Sequence, residues 1–150
     1  MWSVGPFLTQ KAVLHHLGCV VPSISAVAGA FAASMCATWD GQIIYDPLQR
    51  VRVTFFKPAD PRNPVYELVE PAGDASPVVK FLKKGGGLHH VCYEIDGLEL
   101  GLKEARRAGF VMVSPPKPAV AFSGRRIAWI CSRNRLLMEL LERDSSPLQE

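Results

Sequence analysis

The chain has 150 residues, of which 48% are hydrophobic and 21% charged, and its formal net charge is +3. This length and composition can bury the core of one domain, or of two half-domains that share a core. Acidic and basic residues are interspersed, so charge gives no argument for nucleic-acid binding. No run of about 18 apolar residues predicts a transmembrane helix, and residues 1–13 lack the basic and apolar regions of a signal peptide.

The cysteines indicate a reducing environment. None of them forms a C-x-x-C pair, and two lie within apolar strand patterns, where a free thiol behaves as a small hydrophobe. We therefore expect reduced thiols in a cytoplasmic protein rather than a disulfide framework. The four residues are Cys19, Cys36, Cys92 and Cys131.

The first half of the chain is predicted to form a strand, a helix and three further strands. An apolar run at residues 16–21 predicts a buried strand. Ser23 is a suitable N-cap for a helix whose apolar residues recur at helical spacing from Ile24 to Met35. Three strands follow, at residues 42–45 before the turn signal Asp46-Pro47, at residues 51–55 and at residues 65–70.

The second half is predicted to repeat this order. A strand at residues 90–95 precedes Asp96 and Glu99, which are spaced as in a capping box, and the helix is expected to end at Gly109. Three strands follow at residues 110–113, where Pro115-Pro116 ends the first, at residues 126–130 and at residues 136–141.

A linker helix is predicted between the halves, at residues 74–84. Asp74 or Ser76 would cap it, and Pro77 suits its first turn. The three glycines at residues 85–87 end the helix and free the backbone to start the second half.

The two halves share a sequence repeat. The segment LHHLGC at residues 14–19 returns as LHHVCY at residues 88–93, and YELVE at 66–70 returns as MELLE at 138–142. The repeat predicts an α+β fold of tandem β-α-β-β-β modules, residues 14–71 and 88–143, in a single domain spanning 14–143. We expect their curved, partly closed sheet to surround a shared cleft, with loosely ordered ends at residues 1–13 and 144–150.

Each copy of the repeat carries one His and one Glu at matched places, and we expect all four side chains to project into the cleft. Two imidazoles and two carboxylates suit a divalent ion such as Zn, Co, Ni or Mn, with positions left open for water or substrate. Taken singly, each residue could instead be a hydrogen-bonded core histidine or an exposed glutamate. The predicted ligands are His16, Glu67, His90 and Glu139, whereas His15, His89, Glu70 and Glu142 are expected on the opposite face as structural or exposed residues.

The motifs HHLGCVVPSI, YELVEP, GGGLHHVCYEID and LLMELLE resemble the vicinal oxygen chelate superfamily, and most closely its methylmalonyl-CoA epimerases. The resemblance covers about residues 14–143. It implies that the four family metal ligands fall on His16, Glu67, His90 and Glu139. It also implies an acyl-thioester substrate whose enolate the metal stabilises, with Glu139 or Glu67 moving the proton.

The chain departs from these relatives near the expected substrate. Val53 stands where some epimerases carry a second carboxylate. The segment that contains Tyr45, Asp46 and Gln49 differs from most epimerases, and we expect Tyr45 and Gln49 to line the cleft. Two arginines are candidates for binding an anionic group of the substrate, Arg126 in the loop at residues 123–126 and Arg133 before the last strand.

The sequence therefore favours a metal-dependent epimerase or isomerase that acts on an acyl thioester. A glyoxalase-like lyase is the first alternative. An extradiol dioxygenase fits less well because it needs only three protein ligands, and a non-catalytic binding module fits less well because such relatives generally lose the ligands. We expect a small-molecule partner, no nucleic acid, no membrane, and a homodimer that covers the outer sheet edges.

Overall fold

A computed structural model describes residues 11–144, and it divides them into two compact units. The first unit comprises residues 14–92, and the second comprises residues 93–144 together with 11–13. The predicted α+β fold of tandem modules is confirmed, with one additional strand in the first module. The elements are β1 (Val13–Val20), α1 (Ile24–Ser34), β2 (Ala37–Trp39), β3 (Ile44–Asp46), β4 (Val51–Pro58), β5 (Val65–Pro71), α2 (Val79–Lys83), β6 (Gly87–Ile95), α3 (Leu98–Arg107), β7 (Val111–Pro118), β8 (Arg126–Cys131) and β9 (Leu137–Glu142).

The first unit is built on a sheet with the strand order β2-β4-β5-β1-β6, and β3 pairs with β4. Strands β1 and β5 are parallel, so that Gly18 lies opposite Glu67. Strand β4 is antiparallel to β5 and places Phe55 opposite Glu67. Because side chains alternate along a strand, His16, Gly18, Phe55 and Glu67 share one face of this sheet.

Helix α1 covers the other face of the first unit's sheet. Its Ile24 and Ala28 pack with Phe56 and Leu68 in a fully buried cluster. Each large apolar side chain buried in this way contributes about 1.5–3 kcal/mol relative to exposure. Met35, predicted to lie on the packed face, is instead the exposed C-cap residue, because the helix ends one residue earlier.

Two side chains satisfy backbone N–H groups in the first turn of α1. The predicted N-cap Ser23 accepts from the N–H of Ala26 at 3.3 Å. Glu70, on β5, accepts from the N–H of Ile24 at 2.6 Å. A carboxylate is favourable here because the N-terminal end of a helix carries partial positive charge. Glu70 therefore has the structural role expected of it.

The second unit places β9 beside the last residues of β6, followed by β8 and β7. Helix α3 ends at Arg107, and Ala108 is its C-cap residue. Gly109, with a φ of 89°, is the C′ residue that follows, as predicted. The predicted capping box at its start is wrong. Gly97 is the N-cap residue, while the carboxylate of Asp96 pairs with Arg143 and that of Glu99 with Arg126. The two acidic side chains are drawn to arginines instead of to the backbone.

Three further elements differ from the sequence prediction. Strand β2 has only three residues, which are too few for its alternation to predict a strand. Helix α2 is shorter than residues 74–84, and its N-cap residue is Val78 rather than Asp74 or Ser76. Strand β7 continues through Pro115-Pro116 because it is an edge strand with register shifts, where prolines need not donate to a neighbour.

None of the helices within residues 11–144 is both long and apolar enough to cross a membrane. Of the ends predicted to be loosely ordered, residues 1–10 and 145–150 lie outside the described residues, and Val13 is the first residue of β1.

We expect Glu70→Ala to lower the free energy of unfolding by about 1–2 kcal/mol, because it removes an acceptor from the first turn of α1. Urea denaturation at neutral pH measures this change. Asp74→Ala, at an exposed position, is the control and should stay within about 0.5 kcal/mol of the unmodified protein. Equal stabilities for the two variants would show that the contact with Ile24 does not stabilise the helix.

Candidate metal centre

Three of the four predicted metal ligands converge within the first unit. They come from three adjacent strands of its sheet, His16 from β1, Glu67 from β5 and His90 from β6. The Nε2 atoms of the two histidines are 3.2 Å apart. Oε1 of Glu67 lies 3.7 Å from Nε2 of His16 and 3.4 Å from Nε2 of His90. All three residues are buried, with at most 4% of their surface exposed.

The donor atoms fit a single divalent ion. Nitrogen and oxygen ligands at about 2.0–2.2 Å from one ion lie about 3.0–3.5 Å from each other in octahedral or tetrahedral geometry. The observed separations of 3.2, 3.4 and 3.7 Å fall within a few tenths of an ångström of this range. Neutral imidazoles and a carboxylate are also the donors that Zn and its neighbours accept. His16, Glu67 and His90 would therefore hold such an ion.

Burial changes the protonation of these groups in the metal-free protein. It raises the pKa of Glu67 from its ordinary value of 4.5 to about 8. It lowers the pKa of His16 well below 6.5, and the neighbouring His90 and His15 lower it further. At neutral pH the carboxyl of Glu67 is therefore protonated and the imidazole of His16 is neutral. An arriving metal ion would have to displace the proton of Glu67.

We expect metal affinity to rise about tenfold for each pH unit between pH 6 and 8 and to level off above pH 8. The sign follows from the raised pKa of Glu67, because the unbound site holds a proton below pH 8 that the ion releases. Competition with a chelator of known affinity measures the dependence. Glu67→Gln, which cannot ionise, should bind more weakly and lose this slope. A slope that the variant retains would assign the proton to another group.

Gly18 allows the imidazole of His90 to lie against β1. A Cβ atom at Gly18 would stand 2.0 Å from Cε1 of His90, 2.4 Å from Nε2 and 2.6 Å from Nδ1. No side chain can occupy that space without moving the ring, because real Cβ contacts are longer than 3.0 Å. This role of Gly18 was not predicted from the sequence. Its position two residues after His16, on the same face of β1, was the available signal.

We expect Gly18→Ala to weaken metal binding by at least about tenfold, because the new methyl group displaces the ring of His90. Gly29→Ala, on helix α1 where an added Cβ meets no atom within 4 Å, is the matched control and should leave the affinity unchanged. Calorimetric titration with Zn measures both. Unchanged affinity in Gly18→Ala would show that His90 can bind from another position.

The face that carries the centre is otherwise apolar on β4. Val53, at the position where some epimerases have a carboxylate, is 6% exposed and lies opposite Val69 and Ile44. The ring of Phe55 packs edge-on against the imidazole of His16, with ring centroids 5.9 Å apart. Val53 and Phe55 of β4 therefore form an apolar wall, and position 53 supplies no carboxylate.

The fourth predicted ligand, Glu139, lies on β9 in the second unit. It is 3% exposed, its sequence neighbours Met138 and Leu140 are also buried, and it pairs with Trp129 across to β8. A carboxylate buried among apolar residues requires a compensating partner. Its role as a ligand and as a catalytic residue stays a prediction.

The residues predicted to bind substrate are not gathered in one place by the described contacts, and their role also stays a prediction. Tyr45 is 54% exposed, with the guanidinium of Arg52 over its ring. The amide of Gln49 donates to Asp46 at 2.9 Å. In the second unit, Arg126 pairs with both Glu142 and Glu99 at 2.6 Å, and the guanidinium of Arg133 lies beside Gly109.

The histidines that precede the two ligands are closer to the centre than predicted. Nδ1 of His15 lies 2.9 Å from Nδ1 of His16, and Nδ1 of His89 lies 2.9 Å from Nδ1 of His90. His15, His16 and Cys92 form a second group whose potential ligand atoms lie within 4.8 Å of one another. The sequence signal for these contacts was the His-His pair itself, which occurs in both copies of the repeat.

Comparison with known proteins identifies the family of the chain. Residues 15–129 match the Glyoxalase/Bleomycin resistance protein/Dioxygenase superfamily. The ethylmalonyl-CoA/methylmalonyl-CoA epimerase of Cereibacter sphaeroides is 28% identical over 131 residues, which are 85% of this chain and 95% of that protein. A hypothetical protein of Bacillus halodurans has a similar structure, with a TM-score of 0.78 and 27% identity over 91% of this chain and 97% of that one.

A Streptomyces coelicolor methylmalonyl-CoA epimerase, solved in complex with 2-nitronate-propionyl-CoA, has the same fold. Its TM-score is 0.74 at 22% identity, over 90% of this chain and 98% of that one. The chain belongs to the glyoxalase/bleomycin resistance/dioxygenase superfamily, which is the vicinal oxygen chelate superfamily indicated by the sequence motifs. Its relatives include epimerases of acyl-CoA thioesters.

Proposed function

We propose that this protein is a metal-dependent epimerase or isomerase that acts on an acyl thioester such as a 2-substituted malonyl-CoA. The observation that carries the proposal is the convergence of His16, Glu67 and His90, with donor atoms 3.2–3.7 Å apart in a buried site. The named activity of the Cereibacter sphaeroides relative supports the substrate class.

His16, Glu67 and His90 would hold the metal, and Glu139 is the proposed fourth ligand. When bound, it supplies a Lewis acid that stabilises the negative charge of an enolate oxygen. A thioester with a second carbonyl group two atoms away offers two oxygens for chelation, and the carbon between them carries the acidic proton. The donor set is borderline in softness, so Co, Zn, Mn and Ni all suit it.

Proton transfer falls to the carboxylates of the centre. Val53 cannot accept a proton, so Glu139 or Glu67 removes the proton from the substrate carbon and returns one. Phe55 and Val53 keep one wall of the site free of water, which strengthens the electrostatic interactions inside it. Gln49, Tyr45, Arg126 and Arg133 remain the proposed contacts to the rest of the substrate.

A glyoxalase-like lyase is the second candidate. Val53 offers no carboxylate at the position where the sequence resemblance places one in some epimerases, and this departure favours a related reaction on another substrate. Both reactions move a proton on a carbon next to a carbonyl group, so the same carboxylates and the same proposed metal ligands would serve either one. The difference lies in the substrate, which is a thiol adduct of a 2-oxoaldehyde for the lyase.

The protein is further proposed to act as a cytoplasmic homodimer. The location follows from the expectation of reduced thiols. The dimer would cover outer sheet edges such as β7, where Val111 and Val113 are exposed. Light scattering of the purified chain measures its mass in solution.

The test combines metal analysis with proton exchange. We expect about one divalent ion for each chain, and exchange of the proton on C2 of methylmalonyl-CoA with deuterium from solvent, observed by NMR. His90→Ala should lose both properties, whereas Arg62→Ala, at an exposed position, should keep both. Metal without exchange, together with turnover of a hemithioacetal, would favour the lyase. No metal uptake would contradict both reactions and favour a binding module.

A further inference from the structure

We infer that His15 and His89 are positioning residues that accept hydrogen bonds from the metal ligands His16 and His90. The inference rests on the proposed metal centre and assigns a function to the first histidine of each His-His pair. A hydrogen-bond acceptor beside each ligand would fix the orientation of the imidazole ring, and with it the position of the Nε2 atom.

The geometry is the same at both ligands. Nδ1 of each ligand lies 2.9 Å from Nδ1 of the preceding histidine. The two rings are nearly perpendicular in each pair, at 81° for the first pair and 89° for the second, with centroids 5.1 Å apart. A 2.9 Å separation between ring nitrogens is that of a hydrogen bond in which one nitrogen carries the proton.

Metal binding determines which nitrogen carries that proton. The Nε2 atoms of His16 and His90 face each other and Glu67, so these atoms would bind the ion. A neutral imidazole that binds through Nε2 carries its proton on Nδ1. Each ligand must then donate from Nδ1, and Nδ1 of the preceding histidine lies within reach as an acceptor.

A neutral acceptor suits the charge of the centre. Two carboxylates, Glu67 and the proposed fourth ligand Glu139, already balance a divalent ion. A further carboxylate behind each imidazole would make the buried centre negative, whereas a second imidazole accepts the hydrogen bond without adding charge. His15 and His89 are both only half-buried.

The linker helix gives His89 its position. The ring of Phe81, on α2, packs edge-on against the ring of His89 with centroids 4.8 Å apart. A fixed ring is required of a residue that orients a metal ligand. Helix α2 is therefore connected to the metal centre through the chain Phe81, His89 and His90.

A different use of the same atoms makes a distinct prediction. If His15 and Cys92 bound a second ion together with His16, then Nδ1 of His15 would be a metal ligand and could not accept a hydrogen bond. That arrangement requires two ions for each chain, and Cys92→Ser would remove one of them.

The test compares an acceptor-deleting variant with an acceptor-retaining variant at each position. His15→Leu and His89→Leu remove the acceptor, whereas His15→Asn and His89→Asn place an amide oxygen near the position of Nδ1. We expect the Leu variants to bind Zn about 10–100-fold more weakly and the Asn variants to stay within about threefold of the unmodified protein. Chelator competition measures the affinities.

NMR of the Zn-loaded protein gives a readout that a merely structural role would not change. The Nδ1–H protons of His16 and His90 should be visible and slow to exchange, and each should exchange faster in the corresponding Leu variant. Unchanged affinity and exchange in the Leu variants, or Asn variants that behave like Leu, would overturn the inference. So would two Zn ions for each chain with one lost in Cys92→Ser. Absence of metal from the unmodified protein would instead contradict the proposed function.

Discussion

The burial of a carboxylate among apolar strands is the constraint on which the rest of the site depends. Glu67 is 4% exposed, and Leu68 and Val69, which follow it on β5, are also buried. In that position its charge is costly, and its pKa rises to about 8 while no cation is present. Burial, together with the neighbouring His90 and His15, lowers the pKa of His16 well below its ordinary value, so this imidazole does not supply a positive charge. A bound cation, as in the proposed metal centre, would make this arrangement of side chains favourable.

The second unit also buries a glutamate, Glu139, which is 3% exposed on β9. Three other acids of this unit, Glu94, Glu99 and Glu142, lie nearer the surface and pair with arginines. The pair of Glu99 with Arg126 contributes little to stability, because Glu99 is 68% exposed and solvent screens it. Glu67 and Glu139 are instead buried, and they stand at matched points of the repeat.

Much of the fold and part of the site could be predicted from the sequence, because the repeat supplied information that single residues lack. The repeat predicts His16, Glu67 and His90 as a group, and the structure places their donor atoms within 3.7 Å of one another. The missed features depend on tertiary contacts. The role of Gly18 arises from a ring that approaches it from another strand, and Asp96 leaves its predicted capping position because Arg143 lies within reach. No local pattern encodes either contact.

Strand β5 carries two glutamates whose side chains lie on opposite faces of the sheet, and these two positions favour one register of β5 against β1. Glu67 belongs to the face with the histidines, whereas Glu70 reaches the first turn of α1 on the other face. A slip of one residue against β1 would turn Glu67 into the apolar cluster under α1 and turn Glu70 away from the helix. A misaligned pairing of this strand would therefore lose an acceptor at the first turn of α1 and separate the carboxyl of Glu67 from the two imidazoles. Glu67 and Glu70 therefore favour the correct register of β5 against β1, in addition to their contacts with the histidines and with helix α1.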